Sequence, residues 1–262
     1  MQCFTIKIAK TPFQLQTRNP ALQDKYHAYL TDEAPVCTVS VSDEELDALR
    51  SEHHPVRLLS RLRQRTNANS MQRMQDEENV LYRKISMMLP RYHAFILHGA
   101  AVSLDGCGYI FSGRSGVGKS THANLWLKHF GNQDQHEPDA RARMINGDKP
   151  ILMLDNGQWY VCGSPWQGKE NLGNPIAVPL KGICFLTRGE NNRITPATHM
   201  TDWLFNAVLL PNEAATRIEM LSLLDSLIEQ IPVYHMDVNN FAPDAVLVSS
   251  VALTQSLQPT KA

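Results

Sequence analysis

Residues 113–120 carry the pattern from which the chemistry of this protein is best predicted. They read GRSGVGKS, a complete GxxxxGK[ST] phosphate-binding loop. An apolar run at 109–111 precedes the loop, and a helix-like run at 121–127 follows it. A strand that turns sharply into a helix directs backbone N–H groups and the positive end of the helix dipole at one concave place. The pattern therefore predicts a site for the phosphates of a nucleotide such as ATP.

The residue types in this loop suit separate tasks. Its three glycines fit backbone angles and close approaches that a Cβ would obstruct. Lys119 is expected to reach the outer phosphates, and the Ser120 hydroxyl to bind Mg²⁺. The alternative, a plain glycine-rich turn, is disfavoured by the strand and helix on either side. The predicted nucleotide-binding residues of the loop are Gly113, Arg114, Ser115, Gly116, Val117, Gly118, Lys119, Ser120 and Thr121.

An aspartate follows a later predicted strand. Met144 and Ile145 lead into the polar segment 146–149, which reads NGDK. Phosphoryl transfer needs charge neutralisation and an oriented nucleophile more than covalent help, so an acid in such a place commonly binds Mg²⁺ or accepts a proton from the attacking hydroxyl. Asp148 is therefore predicted as a catalytic residue and, with Ser120, as a metal ligand. A turn aspartate beside a glycine is the alternative.

Two further regions offer candidates for the same site. Lys169, in the segment 163–170 (GSPWQGKE), is predicted to contact the transferring phosphate, and Trp166 would stack on a ligand. A structural turn with a core tryptophan is the alternative. His98 ends the strand before a predicted hairpin, where a single histidine is more often a hydrogen-bonded structural residue than a catalyst.

Composition limits the class of protein. A chain of 262 residues with 43% hydrophobic content suits one main domain and a small second lobe. Its net charge of −1 gives no long-range attraction to nucleic acid or an anionic membrane. The five cysteines form no CxxC pair, and no apolar run of about 18 residues occurs. We therefore expect a cytoplasmic protein without a disulfide framework, a membrane span or a zinc site made of cysteines.

The hydrophobic pattern predicts two parts. Residues 1–70 are predicted as a small N-terminal α+β lobe, with strands at 4–9 and 36–41 and a helix that starts at Ser42. Residues 71–262 are predicted as the catalytic domain, an α/β core that begins with a helix at 76–89. The strands predicted for this domain are 94–97, 100–104, 108–111, 144–145, 151–154, 159–162, 181–186 and 233–238. Its further predicted helices are one that follows the phosphate-binding loop and ends at residue 130, two at 201–210 and 212–230, and a last one that begins at residue 243.

The order of these motifs resembles one enzyme family. His98-Gly99, the Asp105-Gly106 turn and the phosphate loop follow one another at short spacing, as in the catalytic core of HPr kinase/phosphorylase and its shorter HPr-kinase-like relatives. Those proteins share a P-loop fold with phosphoenolpyruvate carboxykinases. The resemblance is closest over residues 95–190, and residues 1–70 show nothing comparable.

This resemblance implies a P-loop kinase core with a mixed β-sheet and flanking helices. It implies an enzyme that uses ATP and Mg²⁺ to phosphorylate a serine hydroxyl of a protein or peptide, and it favours a homo-oligomer. It also implies that His98 lies near the reacting phosphate, that Lys119 and Ser120 bind nucleotide and metal, and that Asp148 lies in the catalytic acid region.

Three positions depart from the family pattern. HPr kinases have an acid in place of Arg114, a glutamate in place of Thr121 and a pair of aspartates in place of Gly147-Asp148. One carboxylate cannot comfortably both bind Mg²⁺ and accept a proton. Either one role moves to Glu170 or His98, or the metal is held chiefly by phosphate and Ser120.

The sequence thus leaves three functions open. The first is a kinase that acts on a hydroxyl, with a serine of a protein or peptide as the favoured acceptor. The second is a small-molecule phosphotransferase or a carboxykinase-like enzyme, although no clear set of carboxykinase metal and substrate ligands is present. The third is a nucleotide-binding module with little catalysis, in which Gly147 in place of an acid marks lost chemistry.

Overall fold

The computed structural model describes residues 1–53, 70–131, 140–168, 170–198, 200–239 and 243–255. The chain divides into two units, Met1–Met88 and Leu89–Ala262. Both units contain strands and helices, so the protein is of the mixed α/β class. Among the described residues, no helix combines the length and the apolar character that crossing a membrane requires.

The first unit contains a three-stranded sheet in the order β1-β2-β3. Its strands are β1 (Gln2–Ile8), β2 (Thr11–Thr17) and β3 (Cys37–Ser40), and β2 runs antiparallel to β1 and parallel to β3. The sequence pattern does not predict β2. The turn between β1 and β2 is made by Ala9 and Lys10, which both have positive φ, but neither residue type is typical of such a turn. The helices of this unit are α1 (Ala21–Lys25), α2 (Asp43–His53) and α3 (Ser70–Met88), with a 3₁₀ turn at His27–Tyr29.

Helix α2 begins where its sequence predicts. The Ser42 hydroxyl accepts a hydrogen bond from the Glu45 N–H at 3.2 Å, and the Glu45 carboxylate accepts one from the Ser42 N–H at 2.8 Å. This reciprocal pair is a capping box, which satisfies two backbone donors at the helix start.

Helix α3 belongs with the first unit, whereas the predicted boundary at residue 70 assigns it to the second. Its buried residue Glu77 accepts hydrogen bonds from the backbone N–H groups of Arg18 (2.6 Å) and Asn19 (3.0 Å). Two neighbouring acids of α3 are also buried and pair with residues of the same unit: Asp76 with Arg50, and Glu78 with Lys25 and Tyr26. The apolar stripe of α3 indicates a buried face but not which core receives it, so the unit boundary falls after Met88.

The second unit contains a mixed sheet in the order β4-β8-β9-β10-β6-β5-β7, extended by β12, which pairs with β10, and by β11, which pairs with β12. Strand β10 runs antiparallel to β9 at its start and then parallel to both β6 and β12. The strands are β4 (Ala94–Ile96), β5 (Gly99–Leu104), β6 (Cys107–Gly113), β7 (Ala142–Asn146), β8 (Ile151–Asp155), β9 (Gln158–Cys162), β10 (Ala177–Arg188), β11 (Arg193–Pro196) and β12 (Val233–Val238). Of these, only β11 lies outside the predicted strands.

Helices cover both faces of this sheet. One face buries Ile183 and Phe185 of β10 with residues of α5 (Met200–Ala207) and α6 (Ala214–Gln230). The opposite face buries Cys184 and Leu186 with residues of α4 (Lys119–Phe130) and α7 (Pro243–Gln255). A 3₁₀ turn, Leu89–Tyr92, precedes β4. Alternate side chains of one strand therefore lie in different cores, as strand geometry requires.

We predict that Glu77→Gln destabilises the first unit by about 1–3 kcal/mol. The glutamine amide has one acceptor oxygen, so its NH₂ group would face one of the two backbone N–H groups that Glu77 now satisfies. Chemical denaturation measures the loss. The exposed Asp24→Asn removes a charge from the same unit and should change stability by no more than about 0.5 kcal/mol. Equal stability of the two variants would show that the backbone contacts of Glu77 are unimportant.

Candidate active site

The phosphate-binding loop joins β6 to α4, as its sequence predicts. Gly113, Gly116 and Gly118 have φ values of 139°, 77° and 109°, which side-chain-bearing residues rarely adopt. A Cβ on Gly113 would also lie 2.6 Å from the carbonyl oxygen of Leu186, in the neighbouring strand β10. The loop conformation therefore depends on glycine at these positions.

Lys119 lies over this loop rather than extending into solvent. Lys119 is 8% exposed, and its Nζ donates hydrogen bonds to the carbonyl oxygens of Gly113 (3.1 Å) and Arg114 (3.3 Å). Burial lowers the pKa of Lys119, and the nearby charge of Asp148 opposes that shift. The partners of this buried ammonium are neutral carbonyl oxygens. An anion would bind it more strongly than they do, because a hydrogen bond between an ammonium and an anion is stronger than one between an ammonium and a neutral acceptor.

The end of β7 lies beside the start of α4. The Ser120 hydroxyl donates to the carbonyl oxygen of Gly147 at 3.3 Å. Asn146 is fully buried, and its Oδ1 accepts the backbone N–H groups of Asp148 (2.9 Å) and Lys149 (2.6 Å). Its Nδ2 donates to the carbonyl and hydroxyl oxygens of Ser164, both at 3.0 Å. This Asn-centred turn fixes the backbone that presents Asp148.

The Asp148 carboxylate lies between two cationic or cation-forming side chains. Its Oδ1 is 3.3 Å from the His98 Nε2, and its Oδ2 accepts a hydrogen bond from the Lys149 Nζ at 2.8 Å. Burial acts to raise the pKa of Asp148, but the hydrogen bonds from His98 and Lys149 outweigh it and hold the pKa well below its ordinary value of 3.8. Asp148 is therefore ionised at neutral pH, which suits it to bind a cation and makes it a poor acceptor of protons.

His98 connects this carboxylate to the sheet. The backbone N–H of His98 donates to the carbonyl oxygen of Ala207 at 2.7 Å, and the backbone carbonyl oxygen of His98 accepts a hydrogen bond from the Ser112 hydroxyl of β6 at 2.7 Å. The imidazole is 42% exposed. The structure thus brings His98, Lys119, Ser120 and Asp148 to one edge of the sheet.

The other predicted site residues have different positions. Lys169 lies outside the described residues. Trp166 is 5% exposed, which agrees with the alternative of a core tryptophan. Glu170 is exposed, and its carboxylate accepts a hydrogen bond from Asn124 at 3.4 Å. In the described part of the chain, no three His, Cys, Asp or Glu side chains lie close enough together to hold a metal ion by themselves.

The surroundings of Gly147 are unfavourable for a second acid beside Asp148. A Cβ at Gly147 would lie 3.2 Å from the backbone oxygen of Gln167 and 3.4 Å from that of Leu172. An aspartate side chain would thus leave the backbone toward two carbonyl oxygens, which repel a carboxylate. The packing around Gly147 therefore disfavours a second acid.

Gly168, Asn146 and Lys149 are site residues that the sequence pattern does not identify. Gly168 has a φ of +75°, and a Cβ there would lie 2.9 Å from the Cβ of Asp148. An Asn followed by Gly is a turn signal, so the role of Asn146 could have been found from the sequence. The close approach of Gly168 to Asp148 has no sequence signal, because the two residues belong to separate segments of the chain.

We predict that Gly168→Ala displaces Asp148 and lowers by about tenfold or more the phosphoryl-transfer turnover that the sequence predicts, because a small misplacement of a site residue is costly. Gly157→Ala is a matched control, since Gly157 has a φ of +79° and no atom within 4 Å of an added Cβ. Both variants should lose about 1–2 kcal/mol of stability from backbone strain. Equal turnover in the two variants would show that Gly168 does not position Asp148.

No protein-family model matches this chain, and no curated protein matches it in sequence. Among solved structures, it is similar to the Hpr(Ser) kinase/phosphatase from Coxiella burnetii. The identity is 11% over 62% of this chain and 90% of that chain, with a TM-score of 0.36. A similarity of this size identifies neither the fold nor the activity of this protein.

Proposed function

We propose that this protein is an ATP- and Mg²⁺-dependent kinase that transfers a phosphoryl group to a hydroxyl, with a serine of a protein or peptide as the acceptor. The main support is the loop between β6 and α4. Its three glycines have positive φ values, and the buried Lys119 ammonium lies over the loop with the carbonyl oxygens of Gly113 and Arg114 as its partners. This combination of donors suits the β- and γ-phosphates of a nucleotide.

The residues beside the loop also fit Mg²⁺. This ion usually takes one or two protein ligands together with substrate phosphates and water, rather than a complete protein cage. We propose Ser120 and Asp148 as such a pair of oxygens, which is supported by the hydrogen bond from the Ser120 hydroxyl to the carbonyl of the residue before Asp148. When bound, Mg²⁺ would neutralise charge that develops on the transferring phosphate. Asp148 would exchange its contact with His98 or Lys149 for the ion.

The choice of a serine acceptor has narrower support. It rests on the resemblance of the His98-Gly99, Asp105-Gly106 and phosphate-loop order to HPr kinases. Three other functions remain as alternatives, and the following measurement distinguishes them from a protein kinase. They are a small-molecule phosphotransferase, a carboxykinase-like enzyme and a non-catalytic nucleotide-binding module.

We predict that γ-labelled ATP transfers label to protein in a cell extract when the parent protein is added. Lys119→Ala should abolish this transfer and weaken ADP binding in calorimetry, because it removes the ammonium that lies over the loop. Lys128→Ala, an exposed lysine of the same helix, is the matched control and should behave like the parent. Thin-layer separation distinguishes label in protein, label in a small molecule and no transfer. Equal ADP binding in Lys119→Ala and the parent would contradict the proposed nucleotide site.

We further predict that Asp148→Asn lowers kcat by about 10² or more with a much smaller change in nucleotide affinity, since it removes a charge needed in the transition state while keeping the side-chain size. His98→Ala should cost less if the imidazole only holds Asp148. Steady-state turnover and nucleotide titration of both variants provide the test. Activity of Asp148→Asn within about threefold of the parent, or about 0.65 kcal/mol of barrier, would remove Asp148 from the mechanism.

A further inference from the structure

A second cluster of reactive side chains lies at the ends of β10 and β12. The Thr187 hydroxyl oxygen is 2.6 Å from the His235 Nε2 and donates a hydrogen bond to the Asp237 Oδ1 at 2.7 Å. The His235 Nε2 is itself 3.6 Å from the Asp237 Oδ1. These three residues, which we call the Thr–His–Asp cluster, are not part of the site described above.

The hydrogen-bond pattern sets the state of the imidazole. A threonine hydroxyl has one proton, and Thr187 gives it to the Asp237 carboxylate. The 2.6 Å contact with His235 therefore requires that the Nε2 carries a proton and donates it to the Thr187 oxygen. Neutral His235 then has its lone pair on Nδ1, for which no partner exists among the described residues. The ring is held in place because it packs against the Trp203 ring at a centroid distance of 4.9 Å.

Strand register places this cluster beside the phosphate-binding loop. Leu186 of β10 is the parallel partner of Gly113, and Thr187 is the next residue toward the carboxyl edge. Thr187 is in turn the parallel partner of Asp237. Ligands of such sheets bind outside the carboxyl ends of parallel strands. Thr187 and Asp237 each lie one residue before the end of their strand, and His235 lies two residues before Asp237 on the same face of β12.

Helix α5 provides a second measure of this proximity. Its residue Trp203 packs on His235, and its residue Ala207 accepts the N–H of His98. These two residues are four positions apart, which is about 6 Å along a helix. His98 and His235 thus contact successive turns of α5.

The cluster and helix α4 are on opposite faces of the sheet. The Leu186 side chain packs with those of α4, whereas Phe185 packs with α5 and α6. Thr187, two residues after Phe185, lies on the same face of the strand as Phe185. Phosphates bound to the loop would lie against the amino end of α4. In-line transfer needs the attacking and leaving oxygens on opposite sides of phosphorus, so the acceptor approaches from the side away from the leaving group.

From this arrangement we infer that His235 is the general base of the proposed kinase, and that Thr187 and Asp237 are its positioning residues. The inference rests on the proposed function. The acceptor hydroxyl oxygen forms a bond to the γ-phosphorus of ATP, the bond from that phosphorus to the β,γ-bridging oxygen breaks, and ADP leaves. The hydroxyl proton passes to the Nδ1 of His235, and the imidazolium, which retains its Nε2–H bond to Thr187, later releases a proton to solvent. This role complements Asp148, which remains a carboxylate.

The first test measures the imidazole directly. Long-range ¹H–¹⁵N NMR of the nucleotide-free protein should show His235 as the Nε2–H tautomer, and Thr187→Val should remove this preference. Thr187→Ser, which keeps the hydroxyl, should restore it. A His235 that is the Nδ1–H tautomer in the parent protein would overturn the inference, because that nitrogen would then be unable to accept a proton.

The second test uses MgATP hydrolysis, in which water is the acceptor. His235→Ala should lower the rate by about 10² or more with unchanged MgADP affinity, and added imidazole should restore part of it. Asp237→Asn and Thr187→Val should lower the rate by about tenfold, with Thr187→Ser closer to the parent. His129→Gln, an exposed histidine of α4, controls for the loss of an imidazole.

The possible failures of this second test have different meanings. A parent protein that binds MgADP but neither hydrolyses ATP nor transfers its phosphate contradicts the proposed kinase, and the inference with it. A parent that turns over while His235→Ala retains its rate within about threefold contradicts only the assignment of His235. Loss of rate in His235→Ala without rescue by imidazole also contradicts it. If His235→Ala fails to fold, Asp237→Asn and the tautomer measurement decide the question.

Discussion

The parallel pairing of β6 with β10 is the constraint on which the rest of the candidate site depends. It brings the Leu186 carbonyl so close to Gly113 that a Cβ there would lie 2.6 Å from it. The chain must therefore leave β6 through a left-handed glycine, and this turn gives the loop its shape and α4 its starting point. The same pairing places Thr187 beside the loop, so that one strand contact organises both the predicted phosphate site and the Thr–His–Asp cluster.

The site also depends on the pairing of the buried Asp148 carboxylate with nearby cationic groups. The buried Asp148 carboxylate would be costly alone, and it is stabilised by His98 on one oxygen and Lys149 on the other. Its lowered pKa means that it is a carboxylate at neutral pH, which is the form that binds cations. The packing of carbonyl oxygens around Gly147 explains why a second carboxylate is not added at this point. In the kinase that we propose, we assign the role of proton acceptor to His235 instead.

Local patterns predict much of this fold. The strands of the second unit are recovered except β11, and the capping box at Ser42 marks the start of α2. Predictions fail where distant packing decides the outcome. Strand β2 follows a turn of Ala9 and Lys10, whose positive φ values have no sequence signature. Helix α3 is recognisable as a helix, but its assignment to the first unit depends on the contacts of Glu77 with Arg18 and Asn19.

Local sequence was enough to predict the conformation of the glycine-rich loop, because the backbone angles of its consecutive residues are a local property. It also marked Asp148 and His98, which follow and precede short strands near that loop. The pairing of the Asp148 carboxylate with His98 could be found only from the fold, because the two residues are distant along the chain, and this contact helps to lower the pKa of Asp148. The same holds for Thr187, His235 and Asp237. Their hydrogen bonds join strands that are separated by about 50 positions in sequence, and a parallel register, which local patterns do not encode, is what brings them together.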